Sequence, residues 1–563
     1  MILVVVSREI TELTSCSLRL APLYIYIERE PAISLEKEEL IRFQMELLPW
    51  TSFLAIVVAT TTTTMLFVKM AFLRRRCVYN LPPGPKPWPI IGNLHLIGKL
   101  PHHSTHELSK RYGPLMYLRF GSFPAVVGSS VEMAKFFLKT QDLMFIDRPK
   151  MAAGRYTGYN YHSITWTPYG ARWRLARKIV LNELFNAKRL ESYEYIRREE
   201  MGAFLCGLYE ASGGVVKLKD KMATMTLNII MRKALGKKYM DKVARDERHA
   251  MIMTRPEEFK WMIVEFFYLN GVPDIGDSIP WLAWLDMKGY IKRMKKLGKM
   301  FDRFLEHVVE EHSRRRRETK NWVAMDMVDV LLQLESDNPS LEVKLTREDI
   351  KGITLDMIVG STDTSALTVE WAMSEILKQR RPDVFAKATE ELERVIGRGR
   401  WVSEKDIPSL PYIGAIVKET MRMHPGTPML APRLSREDAS VGGYDIPAGT
   451  RVFVNPKLWD APEEFMPERF LGSKMDIKGQ DYELLPFGSG RRMCPGYSLG
   501  LRVVQVALAN LLHGFTWRLP AGGMTKDELS MEEIFGLTTP RKFPLEVVFH
   551  PKLPAHLYAQ DEN

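Results

Sequence analysis

The spacing of apolar residues predicts a mainly helical chain. Apolar positions recur every three or four residues, as on one face of a helix, along residues 131–140, 187–208, 291–317 and 383–395. Short apolar runs typical of strands occur at residues 115–120, 125–127, 450–455 and 545–549. No Gly/Ser-rich linker interrupts residues 100–563. We therefore predict one large domain, mainly α with a minor β region.

An uncharged stretch at residues 47–68 departs from this amphipathic pattern. As a helix it would be about 33 Å long, which matches the hydrocarbon core of a bilayer. Lys69 and the arginines at 74–76 follow it, and such residues stay on the cytosolic side. Residues 45–73 are therefore predicted to be an N-terminal membrane anchor. A cleaved signal peptide is the alternative, but the stretch is long for one and lacks a small-residue cleavage site.

The remaining boundaries follow from proline and charge. Residues 74–92 are predicted to form a basic and Pro-rich hinge, because its closely spaced prolines exclude a helix. Residues 93–563 form the globular domain. Residues 1–44 fit neither part and are predicted to be a non-native or disordered extension, with translation starting at Met45.

Composition narrows the possible functions. Apolar residues make up 45% of the chain and charged residues 26%, which excludes a disordered or fibrous protein. The net charge of +11 permits binding to nucleic acid, an anionic membrane or an acidic protein. Nucleic-acid binding is not expected, because the basic residues are dispersed and no recognition module is present. The 4 cysteines are too scattered for a disulfide scaffold or a zinc site.

Cys494 stands among glycines, directly before an apolar helix predicted at residues 499–512. Glycines allow backbone N–H groups to approach the sulfur, and a helix N-terminus stabilises a thiolate. With no second Cys or His beside it, such a thiolate suits the single axial position of an iron porphyrin. The alternative is a buried cysteine in a Gly-rich turn.

The pattern F-x-x-G-x-R-x-C-x-G at Phe487, Gly490, Arg492, Cys494 and Gly496 resembles the signature of the cytochrome P-450 haem-thiolate monooxygenases. The resemblance implies that Cys494 binds the iron of haem b, that Arg492 pairs with a haem propionate and that Phe487 lies beside the thiolate. It covers about residues 80–558 and is strongest for plant microsomal members, among them homoterpene synthases and relatives of flavonoid hydroxylases. It implies one haem-thiolate monooxygenase fold behind an N-terminal transmembrane helix.

Further haem contacts follow only from this resemblance. Trp173 and Arg177 form W-x-x-x-R, which by itself indicates no more than a basic amphipathic helix. Beside the Cys494 pattern, both residues are implied to donate to haem propionates. Arg433 resembles a third propionate contact of the family.

A buried ionic triad is implied by two weaker patterns. Glu419 and Arg422 stand three residues apart and can pair on one helix face, as in many surface salt bridges. The sequence around Arg469, F-x-P-E-R-F, also resembles the family. Together they imply a structural triad of Glu419, Arg422 and Arg469 on the haem side of the core.

The longest predicted helix spans residues 346–378, with Thr346 and Asp349 as a weak capping box. Its middle carries a polar stretch at residues 360–365. Such a stretch suits proton delivery; close packing of helices on small residues is the alternative. By resemblance, Thr364 organises protonation of bound dioxygen and Asp363 is the adjacent acid. Ser361 stands where the family has glycine.

The resemblance implies insertion of one atom of dioxygen into a small apolar plant metabolite, terpenoid or phenolic, in secondary metabolism. Electrons come from NADPH through a flavin-containing reductase. The basic residues expected to attract it near the thiolate side are Arg172, Arg174, Lys178, Arg491 and Arg502. The expected location is the endoplasmic reticulum membrane, single-pass, with the catalytic domain facing the cytosol. Two alternatives are a haem-thiolate lyase or isomerase acting on a hydroperoxide, and an inactive member. The second arises because the family's segment between Asn455 and Pro456 is missing.

Overall fold

The computed structural model describes residues 52–66, 79–239, 256–337, 343–378, 382–454, 462–520 and 529–559. The chain divides into two compact units, Met1–Val78 and Tyr79–Asn563. The predicted extension at residues 1–44 and the shortened junction at Asn455 and Pro456 lie outside the described residues.

In the first unit, residues 52–66 are helical. The hydroxyl groups of its five successive threonines donate to carbonyls four residues back, for example Thr61 to Val57 at 2.6 Å and Thr64 to Thr60 at 2.6 Å. The helix thereby satisfies its own polar side chains. Among the described residues, no helix combines the length and the apolar character needed to cross a membrane. The predicted anchor extends beyond the described residues at both ends of this helix.

The second unit is mainly helical, as predicted. Its α-helices are α1 Pro101–Tyr112, α2 Val131–Lys135, α3 Ala152–Tyr156, α4 Ala171–Ile179, α5 Ala187–Ser192, α6 Glu194–Glu210, α7 Leu218–Leu235, α8 Pro256–Gly271, α9 Ile275–Ser278, α10 Tyr290–Glu318, α11 Met327–Asp337, α12 Arg347–Leu377, α13 Pro382–Ile396, α14 Pro411–Met423 and α15 Tyr497–Gly514. Short 3-10 helices occur at Leu94–Leu96, Pro280–Leu285, Glu404–Ser409, Pro467–Phe470, Gly490–Arg492 and Ala555–Tyr558.

The strands of the described residues form three small sheets. They are β1 Leu115–Phe120, β2 Phe123–Gly128, β3 Val216–Lys217, β4 Arg433–Leu434, β5 Ala439–Val441, β6 Tyr444–Ile446, β7 Arg451–Val454, β8 Phe515–Arg518 and β9 Glu546–Pro551. The largest sheet has the order β1-β2-β7-β4, the others β3-β9-β8 and β5-β6. β2 pairs with β7 in parallel, with Ala125 opposite Arg451. All four strand predictions are confirmed, with small shifts at their ends.

Two helix predictions were wrong in detail. The predicted helix 187–208 is two helices, because Tyr193 between α5 and α6 has a non-helical backbone with φ −102° and ψ 14°. The predicted helix 131–140 continues after α2 as a wider π-helical turn at Phe136–Thr140. Apolar periodicity detects neither a one-residue interruption nor one extra residue per turn.

α12 crosses the core of the unit. Its predicted capping box is confirmed: Thr346 accepts a hydrogen bond from the Asp349 N–H, and the Asp349 carboxylate accepts from the Thr346 N–H at 2.8 Å. Residues on all sides of the helix are buried, so it is surrounded by other elements. The Thr226 hydroxyl of α7 donates to the Thr362 carbonyl of α12 at 2.9 Å, which fixes these two helices side by side.

Lys233 of α7 is a buried lysine that has no counter-ion in the part of the chain that the structure describes. Its side chain is 4% exposed, and its Nζ makes no hydrogen bond among the described residues. The Nζ lies 4.5 Å from the centroid of the Phe185 ring. Burial, aided by the charge of Arg197, lowers the pKa of Lys233 to about 7.

We expect Lys233→Met to stabilise the protein at neutral pH by about 2–4 kcal/mol, because the unfolded chain holds this proton up to about pH 10 and the folded chain does not. The gain is largest below pH 7 and shrinks as the pH rises towards 10. Melting temperatures of both proteins across this range test it. Lys221→Met, at an exposed position of α7, is the control. A gain that does not change with pH would contradict a cost of charge burial.

Candidate active site

Cys494 lies in a tight turn between the 3-10 helix Gly490–Arg492 and α15. Its N–H donates to the Phe487 carbonyl at 2.9 Å, which places Phe487 beside it. Gly490 has a φ of +70°, and a Cβ there would meet the Leu138 carbonyl oxygen at 2.0 Å. Only glycine therefore fits this position of the turn.

The surroundings of the Cys494 sulfur both disfavour and support a thiolate. Burial raises the pKa of the thiol, while the N–H groups of Gly496 and Tyr497 and the charge of Arg177 act in the opposite direction. The residue is nevertheless accessible to solvent. A ligand can therefore reach the Cys494 sulfur. A metal ion bound there would keep it deprotonated.

Arg492 is held by backbone carbonyls. Its guanidinium donates to the carbonyls of Ile146 at 3.0 Å, Ile164 at 3.3 Å and Thr167 at 2.8 Å. It also lies 4.5 Å from the centroid of the Trp173 ring. Burial and the nearby charge of Arg433 lower the pKa of Arg492 to about 9. Neutral acceptors therefore hold a cation that still lacks a full counter-charge.

The other predicted propionate contacts lie near Arg492. The indole N–H of Trp173 donates to the Ile164 carbonyl at 3.2 Å. Arg433 is buried and pairs with Asp142 at 2.9 Å. Arg177 has no hydrogen-bond or ion-pair partner among the described residues, and burial lowers its pKa.

Arg148 is a further cation of this group that the sequence did not reveal. It is 8% exposed and donates to the carbonyls of Thr165, Ala431 and Pro432 at 3.0, 2.6 and 2.7 Å. Burial and the charges of Arg492 and Arg433 lower its pKa well below the usual value. No periodicity or motif distinguishes Arg148 in the sequence, because its partners are remote along the chain.

These residues fit haem. Burial lowers the pKa of all four arginines of this group, and neighbouring guanidinium groups lower it further for two of them. The four are Arg148, Arg177, Arg433 and Arg492, and the carboxylates nearby are Asp142 and Asp147. Asp142 is shared with the exposed Arg491 at 2.9 Å. Buried cations in excess of anions are costly unless an anionic ligand completes them. The two propionates of haem b would supply such charge.

The predicted catalytic pair of α12 divides between two sides of the helix. The Thr364 hydroxyl donates to the Gly360 carbonyl at 2.8 Å and is partly exposed. The Asp363 carboxylate is 4% exposed and pairs with Lys219 of α7 at 2.8 Å. Burial by itself would lower the pKa of Lys219. The charge and hydrogen bond of the Asp363 carboxylate outweigh this effect, so the pKa of Lys219 is raised. Lys219 was not predicted from the sequence, because it lies 144 positions before Asp363 in the chain.

The predicted ionic triad is confirmed. Glu419 of α14 is fully buried and accepts from Arg422 Nε at 2.7 Å and from Arg469 Nε at 3.0 Å. The Met466 N–H donates to the same carboxylate at 2.7 Å. These bonds join α14 to the segment containing Pro467–Phe470.

Comparison with known proteins identifies the family of this chain. A sequence profile of the family Cytochrome P450 matches residues 82–546. Trimethyltridecatetraene synthase of Zea mays is 48% identical over 85% of this chain and 90% of its own length. Flavonoid 3'-monooxygenase of Petunia hybrida is 41% identical over 87% of this chain and 96% of its own.

A solved structure of a zebrafish cytochrome P450 with abiraterone shares the fold. It aligns with a TM-score of 0.66 and 24% identity, over 81% of this chain and all of that one. The mainly helical architecture with small sheets is therefore confirmed. Proteins of this family carry haem bound through a cysteine thiolate, and they use dioxygen, a small substrate and a redox partner. The chain belongs to the cytochrome P450 family and is an oxidoreductase of the monooxygenase class.

Proposed function

We propose that this chain oxidises a small apolar terpenoid at the endoplasmic reticulum membrane, with electrons from NADPH delivered by a flavin-containing reductase. The Cys494 thiolate would bind the haem iron, and Arg177, Arg492, Arg433 and Trp173 would hold the haem propionates. The observation that carries this proposal is the Cys494 turn beside a group of buried and half-buried arginines that outnumber the carboxylates near them among the described residues.

Bound haem supplies the iron at which dioxygen is activated for insertion of one oxygen atom into the substrate. The protein residues do the rest. The N–H groups of Gly496 and Tyr497 stabilise the sulfur charge. The Thr364 hydroxyl holds a proton at the partly exposed face of α12, and the buried pair of Asp363 and Lys219 lies on another side of the same helix.

The substrate class rests on the relatives. The Zea mays relative named above and dimethylnonatriene synthase of the same plant are 48% and 45% identical, whereas the Petunia hybrida flavonoid 3'-monooxygenase is 41% identical. The names of the first two denote unsaturated hydrocarbon products. This favours an acyclic terpenoid substrate over a flavonoid, and both classes belong in the test.

Exposed cations near the thiolate support a reductase partner. Arg174 and Lys178 are exposed on α4, the helix that carries Trp173 and Arg177, and Arg491 is exposed in the Cys494 segment. Two other predicted contacts are already engaged, since Arg172 pairs with Asp349 and Arg502 pairs with Glu404. A flavin-containing reductase with an acidic face would be attracted to the exposed members of this set.

An exposed aromatic surface supports membrane attachment. Trp281, Trp284 and Met287 are 60%, 78% and 61% exposed, next to Lys288 and Lys292. Tryptophans flanked by lysines are typical of proteins that contact the headgroup region of a bilayer. With the basic residues that follow the predicted anchor, this favours a single-pass protein whose catalytic domain faces the cytosol.

Reconstitution of the full chain with a plant NADPH-dependent reductase tests the function. Acyclic terpenoid alcohols and flavonoids are incubated under labelled dioxygen. The expected result is either a product that carries one labelled oxygen atom or the products of oxidative cleavage of the substrate. The reaction should require both NADPH and the reductase. Turnover of a hydroperoxide without reductase would instead establish a lyase or isomerase, and haem binding without any turnover would establish an inactive member.

We expect Thr364→Ala to uncouple the reaction. NADPH consumption continues while product per NADPH falls about tenfold or more, because the hydroxyl that positions the proton is lost. Hydrogen peroxide accounts for the difference and is measured beside the product. Thr364→Ser, which keeps the hydroxyl, is the matched control. Tight coupling in Thr364→Ala would contradict this role.

A further inference from the structure

His102, His103 and Glu533 form a cluster of metal-ligating side chains that takes no part in the haem site described above. The two histidines lie in the first turn of α1, and Glu533 lies 431 positions after His102 in the chain. One oxygen of the Glu533 carboxylate is 2.9 Å from His102 Nε2, and the other is 3.8 Å from His103 Nε2. One ligand atom of each side chain lies within 4.8 Å of those of the other two.

These separations suit a tetrahedral metal ion. Zn²⁺ binds histidine nitrogen and carboxylate oxygen at about 2.0–2.2 Å, so the ligand atoms around it are about 3.3 Å apart. The separations of 2.9 and 3.8 Å lie on either side of this value. The two imidazole rings stand edge to face at 86°, with centroids 4.5 Å apart, so they approach the carboxylate from different directions. Two histidines and one glutamate are a donor set that zinc uses in proteins, with a fourth position for water.

The charge of Glu533 also favours a bound cation. Its side chain is 18% exposed, and in the described part of the chain its ion-pair partners are the two histidines alone. A histidine is a counter-ion only while it is protonated. A divalent cation supplies positive charge without that proton and uses the neutral imidazoles as ligands. A metal ion therefore completes a carboxylate that is largely shielded from water.

A second cluster of the same residue types shows the contrast. His312, Asp326 and Asp329 also bring their ligand atoms within 4.8 Å of one another. Both of these carboxylates, however, already pair with the guanidinium group of Arg315, so a cation of the protein itself occupies the place of a metal ion. At Glu533, no lysine or arginine among the residues that the structure describes takes that place.

The loop opposite α1 holds its shape through its own bonds. In residues 529–543, here called the C-terminal loop, the Ile534 N–H donates to the Pro540 carbonyl at 2.9 Å. The tip of the loop is bonded to the core, because the Leu537 N–H donates to the Phe267 carbonyl of α8 at 2.8 Å. Metal ligands on such preorganised elements lose little freedom when the ion binds.

We propose that His102, His103 and Glu533 bind one Zn²⁺ ion, which joins the first turn of α1 to the C-terminal loop. Three protein ligands hold the ion and water completes its coordination. The site selects zinc over Ca²⁺ and Mg²⁺, because those ions prefer a shell of oxygen ligands and this site offers two nitrogens. Binding releases any proton held on the two coordinating ring nitrogens. The proposal does not depend on the oxidation proposed above.

Equilibrium dialysis of the untagged, haem-loaded full chain against buffered Zn²⁺ tests the proposal, with Ca²⁺ and Mg²⁺ present in excess. Zinc and haem are measured in the same sample. The unaltered chain should hold one Zn²⁺ more per haem than His103→Ala or Glu533→Gln. The affinity of this site should fall about 10–100-fold or more in either variant, because even the loss of an outer-shell partner has an effect of this size. The His103 side chain is 57% exposed, so its replacement should leave folding intact.

His556→Ala is the matched control for the loss of a histidine. His556 is an exposed residue of the 3-10 helix Ala555–Tyr558, and its replacement should leave the zinc content unchanged. Hydrogen exchange locates the ion. Zn²⁺ should slow backbone exchange in peptides covering residues 101–105 and 529–543 of the unaltered chain, and should not do so in His103→Ala.

Equal zinc binding by the unaltered chain, His103→Ala and Glu533→Gln at every free Zn²⁺ concentration would overturn the proposal and leave the cluster an ion pair of histidine and glutamate. A loss of zinc in His556→Ala equal to that in His103→Ala, or protection confined to other peptides, would also overturn it. If Glu533→Gln does not fold with haem, His103→Ala decides. Zinc binding is measured without turnover, so a failure of the proposed oxidation is recognised separately.

Discussion

Cys494→Ala should abolish reductase-dependent oxidation of every substrate that the unaltered chain accepts. The thiolate is the group that directs electron density to the iron, and no other side chain in the turn can replace it. The reduced carbon monoxide spectrum should lose the thiolate-specific Soret maximum, even if some haem stays bound by the arginines. Product formation and this spectrum are the two measurements.

Cys206→Ala is the control for this prediction. Cys206 lies on α6 near Glu210, at 3.8 Å from its carboxylate, and is the other cysteine within the matched residues 82–546. Its replacement should change neither the spectrum nor turnover. Oxidation retained in Cys494→Ala, or lost in Cys206→Ala, would contradict the assignment of the axial ligand.

Glu419→Ala should destabilise the fold by about 3–5 kcal/mol, because it leaves the guanidinium groups of Arg422 and Arg469 inside the protein without a carboxylate. The side chains of Glu419, Arg422 and Arg469 are 0%, 4% and 12% exposed, so water cannot replace the lost bonds. Expression of haem-loaded protein and the melting temperature should both fall sharply.

Glu107→Ala is a matched control for the triad. Glu107 and Lys110 form an ion pair with the same spacing as Glu419 and Arg422, but their side chains are 66% and 57% exposed. Exposed pairs of this kind contribute about 0–1 kcal/mol. Equal losses of stability in Glu107→Ala and Glu419→Ala would show that the triad is not the buried structural element described above.

Local features of the site were predictable from the sequence. The Cys494 turn depends on glycines that are adjacent in the chain, and the pair of Glu419 and Arg422 depends on helical spacing. The capping box at Thr346 and the strands of the largest sheet follow from equally local patterns. In each case, the residues that interact are close in sequence or repeat with a fixed period.

Long-range contacts were not predictable in this way. Arg148 meets residues near position 431, Asp363 pairs with Lys219, and Asp356 bonds to Thr165. Each contact joins elements that only the folded core brings together, and a single charged residue leaves no periodic signal. The break at Tyr193 was missed for a different reason, since the apolar pattern continues across it.

The most direct test of the account is the reduced carbon monoxide difference spectrum of the purified full chain, measured together with its haem content. We predict an equimolar amount of haem b and a Soret maximum at the position that only thiolate-bound ferrous haem produces. Protein that is folded by circular dichroism but stays colourless when haem is supplied, or that shows only the spectrum of haem without a thiolate ligand, would contradict the account.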